Sequence, residues 1–253
     1  MKSTDRRIAL ITGGNRGLGL QTARELASQD IHVILGCRDY QKGTVVAQGL
    51  RDLGYQAEAI ALDIANQRTH QAVYDYLAKE YGRLDILVNN AAVWKESTTS
   101  SSPLPESNRT STLPSEILRE TFETNFFGTV ALTQKLLPLI RKSISGRIVN
   151  VSSIMGSLTL HSDPKSPIYS HKVFAYDTSK AALNSFTIHL AHELRDTSIK
   201  VNSAHPGWVQ TEMGGGGADL DIAEGGKTSA WLATLAEDGP TGGYFHLGKP
   251  LPW

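Results

Sequence analysis

The apolar residues of this 253-residue chain fall into two recurring patterns. Short runs with strand-like composition, at Ile8 to Thr12, His32 to Cys37, Ala57 to Asp63, Leu84 to Asn89, Arg147 to Ser152, Lys200 to Ala204 and Gly243 to Leu247, predict seven strands. Between them the apolar positions recur at helical spacing. Over Leu18 to Ser28, for instance, Leu18, Ala23, Leu26 and Ala27 make one stripe that would pack on a sheet. Similar patterns predict helices over Gly43 to Leu53, Asn66 to Tyr81, Ser115 to Ile140, Tyr176 to Arg195 and Ala223 to Ala236. Alternation of strand and helix is the mark of βαβ units. The expected fold class is therefore α/β, a doubly wound seven-stranded parallel sheet with helices on both faces. No repeat and no linker divides the chain, so residues 1–253 are expected to form a single domain.

Three segments break the rhythm. Ser97 to Pro114 is rich in Ser, Thr and Pro and reads as an exposed, mobile loop; Gly156 to Ala175 is too long for an ordinary connection; Gly214 to Gly217 reads as floppy. All three follow the carboxyl ends of predicted strands, where ligands of such sheets bind, so they are expected around one cleft.

The first strand runs directly into Thr12-Gly13-Gly14-Asn15-Arg16-Gly17-Leu18-Gly19 and then into the first helix. Glycines there permit positive φ, let a pyrophosphate approach the backbone and bring helix against strand, while the helix start supplies free N–H donors. Tight turns also use glycine for structure alone, but the position between first strand and first helix favours a Rossmann-type dinucleotide site.

The spacing TGxxxGxG resembles that of the short-chain dehydrogenase/reductase family, and further motifs follow in the family's order over nearly the whole chain. Asp63 ends the third expected strand, like the family residue at the adenine. Asn89-Asn90-Ala91-Ala92 resembles NNAG, with Ala92 in place of the last glycine. Asn125 lies in Thr124-Asn125-Phe126-Phe127-Gly128, Ser152-Ser153 closes strand five, Tyr176-Asp177-Thr178-Ser179-Lys180 is the YxxxK motif, and Pro206-Gly207 and Thr211 follow strand six. The segments Thr124 to Thr129, Leu136 to Ile140 and Gly146 to Met155, with the tail Gly239 to Trp253, resemble carbonyl reductases and their bacterial relatives. The resemblance implies cofactor contacts at Gly13, Asn15, Arg16, Gly17, Leu18, Gly19, Arg38, Asp63, Ile64, Asn90, Ala91, Val151, Tyr176, Lys180, Pro206, Gly207, Val209 and Thr211. It implies catalytic roles for Asn125, Ser153, Tyr176 and Lys180, and reduction of a ketone or aldehyde with NADP(H).

Tyr176 and Lys180 are four apart and share a helix face. Carbonyl reduction needs a proton on oxygen, and a tyrosine with an ordinary pKa near 10 is a sluggish acid/base at neutral pH. A cation ~4 Å away at an effective dielectric of ~20 contributes about 4 kcal/mol, so Lys180, helped by oxidised nicotinamide, is expected to lower the Tyr176 pKa by about two to three. Ser153 is expected to donate to the substrate oxygen; it is preferred to Ser152 as the match to the second serine of VSS. Asn125, by resemblance, would interrupt its helix and hold a water linking Lys180 to solvent. A 3-oxoacyl-thioester or steroid dehydrogenase would share these residues, and a non-catalytic NADP(H)-binding sensor or scaffold is the rival of another class. Their retention favours turnover.

Other features change the picture little. The 25 basic and 25 acidic residues give no net charge, so neither nucleic acid nor membrane surface is expected as partner, only a small-molecule carbonyl or alcohol. The polar start and the single cysteine, Cys37, read as a cytoplasmic protein with a buried inert thiol. His189 and His192 lack a third ligand pattern, so no metal is expected. Asn108-Arg109-Thr110 reads as plain loop, and Tyr169 and His171 could touch substrate. The resemblance also implies a homo-oligomer through the helices over Ser115 to Ile140 and Tyr176 to Arg195, with a monomer as the alternative, since monomeric carbonyl reductases cover that helix face with an insertion at the place of Gly156 to Ala175.

Cofactor choice is read at the end of strand two. An NAD site would carry a carboxylate there for the ribose; this chain has Gly36-Cys37 followed by Arg38, with Arg16 on the other side. An arginine suits a 2′-phosphate through charge-assisted contacts and a carboxylate repels it, and two arginines outweigh the displaced Asp39. The expected preference for NADPH over NADH is at least about tenfold in kcat/KM, about 1.4 kcal/mol. Arg38→Asp should reduce it mainly through a higher KM for NADPH, and equal use of both cofactors by the unmodified protein would refute the reading.

Overall fold

The computed structural model describes residues 5–97 and 105–253. Seven parallel strands form the sheet: β1 (Ile8–Thr12), β2 (His32–Cys37), β3 (Ala57–Ala61), β4 (Ile86–Asn89), β5 (Arg147–Val151), β6 (Lys200–Ala204) and β7 (Tyr244–His246). A two-residue antiparallel strand, β8 (Lys249–Pro250), extends it to eight. The order β3-β2-β1-β4-β5-β6-β7-β8 reverses between β1 and β4, which creates the crevice where ligands of doubly wound sheets bind.

Strand periodicity decides how the two faces are covered. Ile8 and Leu10 of β1 enter one core, with Leu132, Leu136 and Leu190, and Ala9 and Ile11 enter the other, with Ala23, Leu26 and Leu232. The first core packs α3 (Gln67–Glu80), α5 (Thr129–Ile140) and α7 (Phe174–Glu193); the second packs α1 (Gly17–Ala27), α2 (Tyr40–Asp52) and α8 (Ile222–Ala233). Both faces of the strands are apolar because both are covered, and each fully buried leucine contributes about 1.5–3 kcal/mol. The short α4 (Ser115–Phe122) packs against α7, and α6 (Leu158–Ser162) lies in the long segment before it. Among the described residues no helix is long and apolar enough to cross a membrane.

Several local readings are corrected by capping and packing. Helix α2 starts at Tyr40, three residues earlier than its apolar pattern, because the Asp39 carboxylate accepts the Lys42 N–H at 3.0 Å. Strand β3 ends at Ala61; Asp63 lies beyond it, its carboxylate accepting Ala65 N–H at 3.1 Å and starting the turn into α3. The helix expected over Ser115 to Ile140 is interrupted at Asn125, as the resemblance implied, by a π-helical segment, Glu123–Gly128. The segment Trp208 to Asp221, which holds Gly214 to Gly217, is tied across its base: Gln210 N–H donates to Leu220 O, Leu220 N–H to Trp208 O and the Trp208 indole to Gly214 O. Asn108 is buried and donates to Glu96 O at 2.7 Å, which anchors that part of the Ser/Thr-rich loop; the expectation for 98–104 falls outside the described residues. Cys37 is buried, as expected.

Gly128 marks where the helix break meets the turn after β3, since a Cβ there would run into the carbonyl oxygen of Ile64. Gly128→Ala should lose about 1–3 kcal/mol through overpacking, seen as an earlier urea midpoint. An unchanged midpoint would show that the contact relaxes freely.

Candidate active site

The cleft is built from the loops that leave β1, β4, β5 and β6. At β1 the turn folds back on the sheet: Gly13 and Gly17 have φ of +64° and +54°, a conformation that suits glycine, and Gly13 N–H donates to Gly36 O at 2.8 Å. Gly19 packs so closely that a Cβ would strike the Gly13 carbonyl oxygen. Above Gly17 nothing lies within 4 Å of an added Cβ, so the cradle is open where a pyrophosphate would approach the start of α1. These observations fit a dinucleotide.

The neighbouring loop is registered on the same turn. Thr12 Oγ1 accepts the N–H groups of Asn90 and Ala91, each at 2.9 Å, and Asn90 Nδ2 donates to Thr12 O at 2.8 Å. Asn15 and Leu18 lie half-exposed on the rim, and Arg16 pairs with Glu212 of the loop after β6. Both members of that pair are exposed, and such pairs contribute about 0–1 kcal/mol, so Arg16 can be recruited by a stronger anion. Arg38 is exposed at the end of β2, next to Asp39, whose carboxylate is engaged as the cap of α2. Asp63 and Ile64 follow β3, with Ile64 O bonded to His70 Nε2 at 3.0 Å. Pro206, Gly207, Val209 and Thr211 follow β6, where Thr211 Oγ1 accepts Gly214 N–H at 3.0 Å.

Helix α7 brings Tyr176 and Lys180 over the ends of β4 and β5. Both are buried, and the Lys180 Nζ lies 5.7 Å from the centre of the Tyr176 ring. Lys180 donates at 2.7 Å to the carbonyl of Val151, the last residue of β5, two before Ser153. The Ser153 hydroxyl accepts Met155 N–H at 3.3 Å and lies near enough to the Tyr176 hydroxyl to lower its pKa. Ser152 is buried and its hydroxyl has no hydrogen-bond partner among the described residues. Asn125 sits in the π-helical segment and is fully engaged: its Oδ1 accepts Val93 N–H at 2.8 Å, and its Nδ2 donates to Val93 O at 3.0 Å and to Ser179 Oγ at 3.1 Å. The helix break is thus where one amide joins the β4 loop to α7.

In the chain alone, burial dominates the electrostatics of the site. Burial pushes the Tyr176 hydroxyl up to about 12, only partly opposed by the Ser153 hydrogen bond, with the Asp177 charge adding to the rise. Lys180 does not reverse this, because its ammonium is turned to the Val151 carbonyl and burial pulls its own pKa down to about 7. The protein groups alone hold Tyr176 as a phenol at neutral pH.

Four neighbours were not singled out from the sequence. The Trp94 ring packs on Tyr176 with centroids 4.6 Å apart. Glu96, fully buried, accepts the N–H groups of Ala175 and Tyr176. Asp177 is pushed up to about 8, chiefly by burial, and its carboxylate accepts Val173 N–H. His205 Nδ1 accepts Ile154 N–H at 3.1 Å, just after Ser153; burial and His246 bring its pKa down to about 3, so the imidazole stays neutral and keeps that acceptor. Only His205 carried a signal, standing one residue before Pro206-Gly207. His189, His192, Tyr169 and His171 are exposed, and among the described residues no group could hold a metal ion.

A model of the family described as short chain dehydrogenase matches residues 7–218. Carbonyl reductase [NADPH] 1 of Mus musculus is 32% identical, the alignment covering 99% of this chain and 100% of the relative. The crystal structure of NADPH bound carbonyl reductase from chicken fatty liver superposes with a TM-score of 0.81 at 26% identity, covering 99% of this chain and 100% of that one. Salutaridine reductase from Papaver somniferum superposes with a TM-score of 0.81 at 29% identity, covering 96% and 100%. With the glycine turn, the parallel sheet and the Tyr176–Lys180 pair in the family's order, the chain belongs to the short-chain dehydrogenase family and is an oxidoreductase acting on C=O or CH–OH groups.

Proposed function

We propose that the chain, read as one domain over residues 1–253, is an NADPH-dependent carbonyl reductase in which Tyr176 protonates the substrate oxygen. The observation that carries this reading is the burial of Tyr176 and Lys180 together on α7, with Lys180 bonded to the Val151 carbonyl two residues before Ser153, beside the open glycine cradle. Similarity to the mouse relative, named for NADPH, and to the NADPH-bound chicken structure supports the cofactor.

The turn residues Gly13 to Gly19, with Asn90 and Ala91, would hold the dinucleotide, and Arg38 and Arg16 would hold its 2′-phosphate. When bound, the cofactor supplies the hydride for the carbonyl carbon. The chain supplies the rest. Tyr176, a phenol at neutral pH, donates its proton to the substrate oxygen as negative charge develops there and makes that oxygen the stronger base. Ser153 hydrogen-bonds to the same oxygen, a contact that strengthens as the charge grows. Lys180 keeps a cationic group, titrating near 7, within reach of the tyrosine, and Asn125 holds the helix and the β4 loop in register. Trp94 covers one face of Tyr176 and helps exclude water.

The test is loss of NADPH absorbance with 4-nitrobenzaldehyde, acetophenone and menadione; no oxidation with any of them rejects the reading. Tyr176→Phe should abolish turnover while NADPH affinity stays within about threefold, since only the proton-donating hydroxyl is removed. Ser153→Ala should cut kcat about 100- to 1000-fold and Ser152→Ala far less. Near-normal turnover by Tyr176→Phe, or the opposite order of the serines, would overturn these roles.

A further inference from the structure

Glu96 is fully buried although its neighbours in sequence are polar. Its two carboxylate oxygens accept separate backbone N–H groups, Ala175 at 2.7 Å and Tyr176 at 2.9 Å. These belong to the first turn of α7, whose N-cap residue, Val173, offers no side-chain acceptor. Asp177 takes the Val173 N–H at 2.9 Å, so the donors at this helix start are held by one carboxylate from the helix and one from outside it.

The outside carboxylate does more than end a helix. A Ser or Asp at the N-cap would satisfy the same donors while leaving the helix free to shift as a body. Glu96 instead comes from the loop after β4, which is registered on Thr12 through Asn90 and Ala91 and on Asn125 through Val93. Two residues before it, Trp94 lies on the Tyr176 ring. The Glu96 carbonyl accepts Asn108 Nδ2 at 2.7 Å, which pins its backbone from the far side. The backbone and the ring of Tyr176 are thus gripped by a three-residue stretch that is fixed to the glycine turn.

We propose that Glu96 is a positioning residue for the reaction at Tyr176, setting the reach of its hydroxyl toward Ser153 and the substrate oxygen through the two N–H bonds. This inference rests on the reading of Tyr176 as proton donor. A displacement of ~1 Å in a reacting group costs on the order of 100-fold in rate, so loss of the grip falls on kcat.

The test uses the full chain with NADPH and whichever of 4-nitrobenzaldehyde, acetophenone and menadione it reduces fastest, comparing E96Q, E96D and E96A with Tyr176→Phe. The amide of E96Q has the size of the carboxylate but offers one acceptor oxygen and turns donors toward an N–H. Its kcat should fall about 10- to 100-fold with KM for NADPH within about threefold, and E96A should fall further. E96D, which keeps the carboxylate, should recover part of the loss. A lower melting temperature in E96Q with kcat per folded molecule within about twofold of the unmodified protein would make Glu96 merely structural and overturn the proposal. So would a raised KM for NADPH with kcat held, which would assign Glu96 to cofactor binding. If E96A does not fold, E96Q and E96D decide. Turnover by Tyr176→Phe removes the reading of Tyr176 itself; loss of turnover there with an active E96Q removes the Glu96 proposal alone.

Discussion

The bond from Lys180 Nζ to the carbonyl of Val151 joins the helix that carries Tyr176 to the strand that leads into Ser153. Both partners are buried, and an ammonium placed there loses much of its hydration. A strand-end carbonyl is one of the few acceptors a parallel sheet leaves free, because its partner strand has ended. The bond therefore fixes the height of α7 above the sheet, and with it the meeting point of the Tyr176 and Ser153 hydroxyls. Helix position and catalytic geometry follow from one acceptor left over by the sheet.

The other contacts around α7 serve the same registration. Asn125 reaches Val93 and Ser179 together, which requires the backbone to leave the α-helical path, and Gly128 lets that widened segment lie on the Ile64 carbonyl. His205 holds the backbone just beyond Ser153 from the β6 side. Each of these groups is polar and buried, so each would cost about 1–3 kcal/mol if left unpaired. A shift of α7 breaks several at once, and this makes one arrangement of the site much more stable than its near neighbours.

Much of this was legible in the residues themselves. Strands β1, β2 and β6 have the ends that their composition suggested, since runs such as Ile8-Ala9-Leu10-Ile11 are apolar on both faces and bounded by breakers. The glycine turn, Asn125, Ser153, Tyr176 and Lys180 all stand at one end of the sheet, because motifs that follow successive parallel strands must gather there. What was hidden depends on contacts distant in sequence. The period of apolar residues over Ser115 to Ile140 runs through the π-helical segment without a mark; the interruption at Asn125 came from the resemblance alone, and its bonds to Val93 and Ser179 join segments distant in sequence. Glu96 stands one residue before the segment read as an exposed loop, and contacts from α7 and Asn108, both distant in sequence, hold it in its buried place. The rise at Tyr176 in the chain alone is hidden for a related reason: spacing along a helix tells that Lys180 is near, but not that its ammonium turns to Val151 while burial dominates.

The central claim is that burial sets the titration of Tyr176 in the free protein and holds it as a phenol beyond the range of an exposed tyrosine. It is tested most directly by following the Cζ resonance of tyrosine labelled with carbon-13 through a pH titration of the free protein, with Tyr176 assigned by its absence in the phenylalanine variant. The account predicts that this resonance stays that of a phenol up to about pH 10, where an exposed tyrosine is half ionised. Half ionisation of Tyr176 below about pH 9 in the free protein would contradict it.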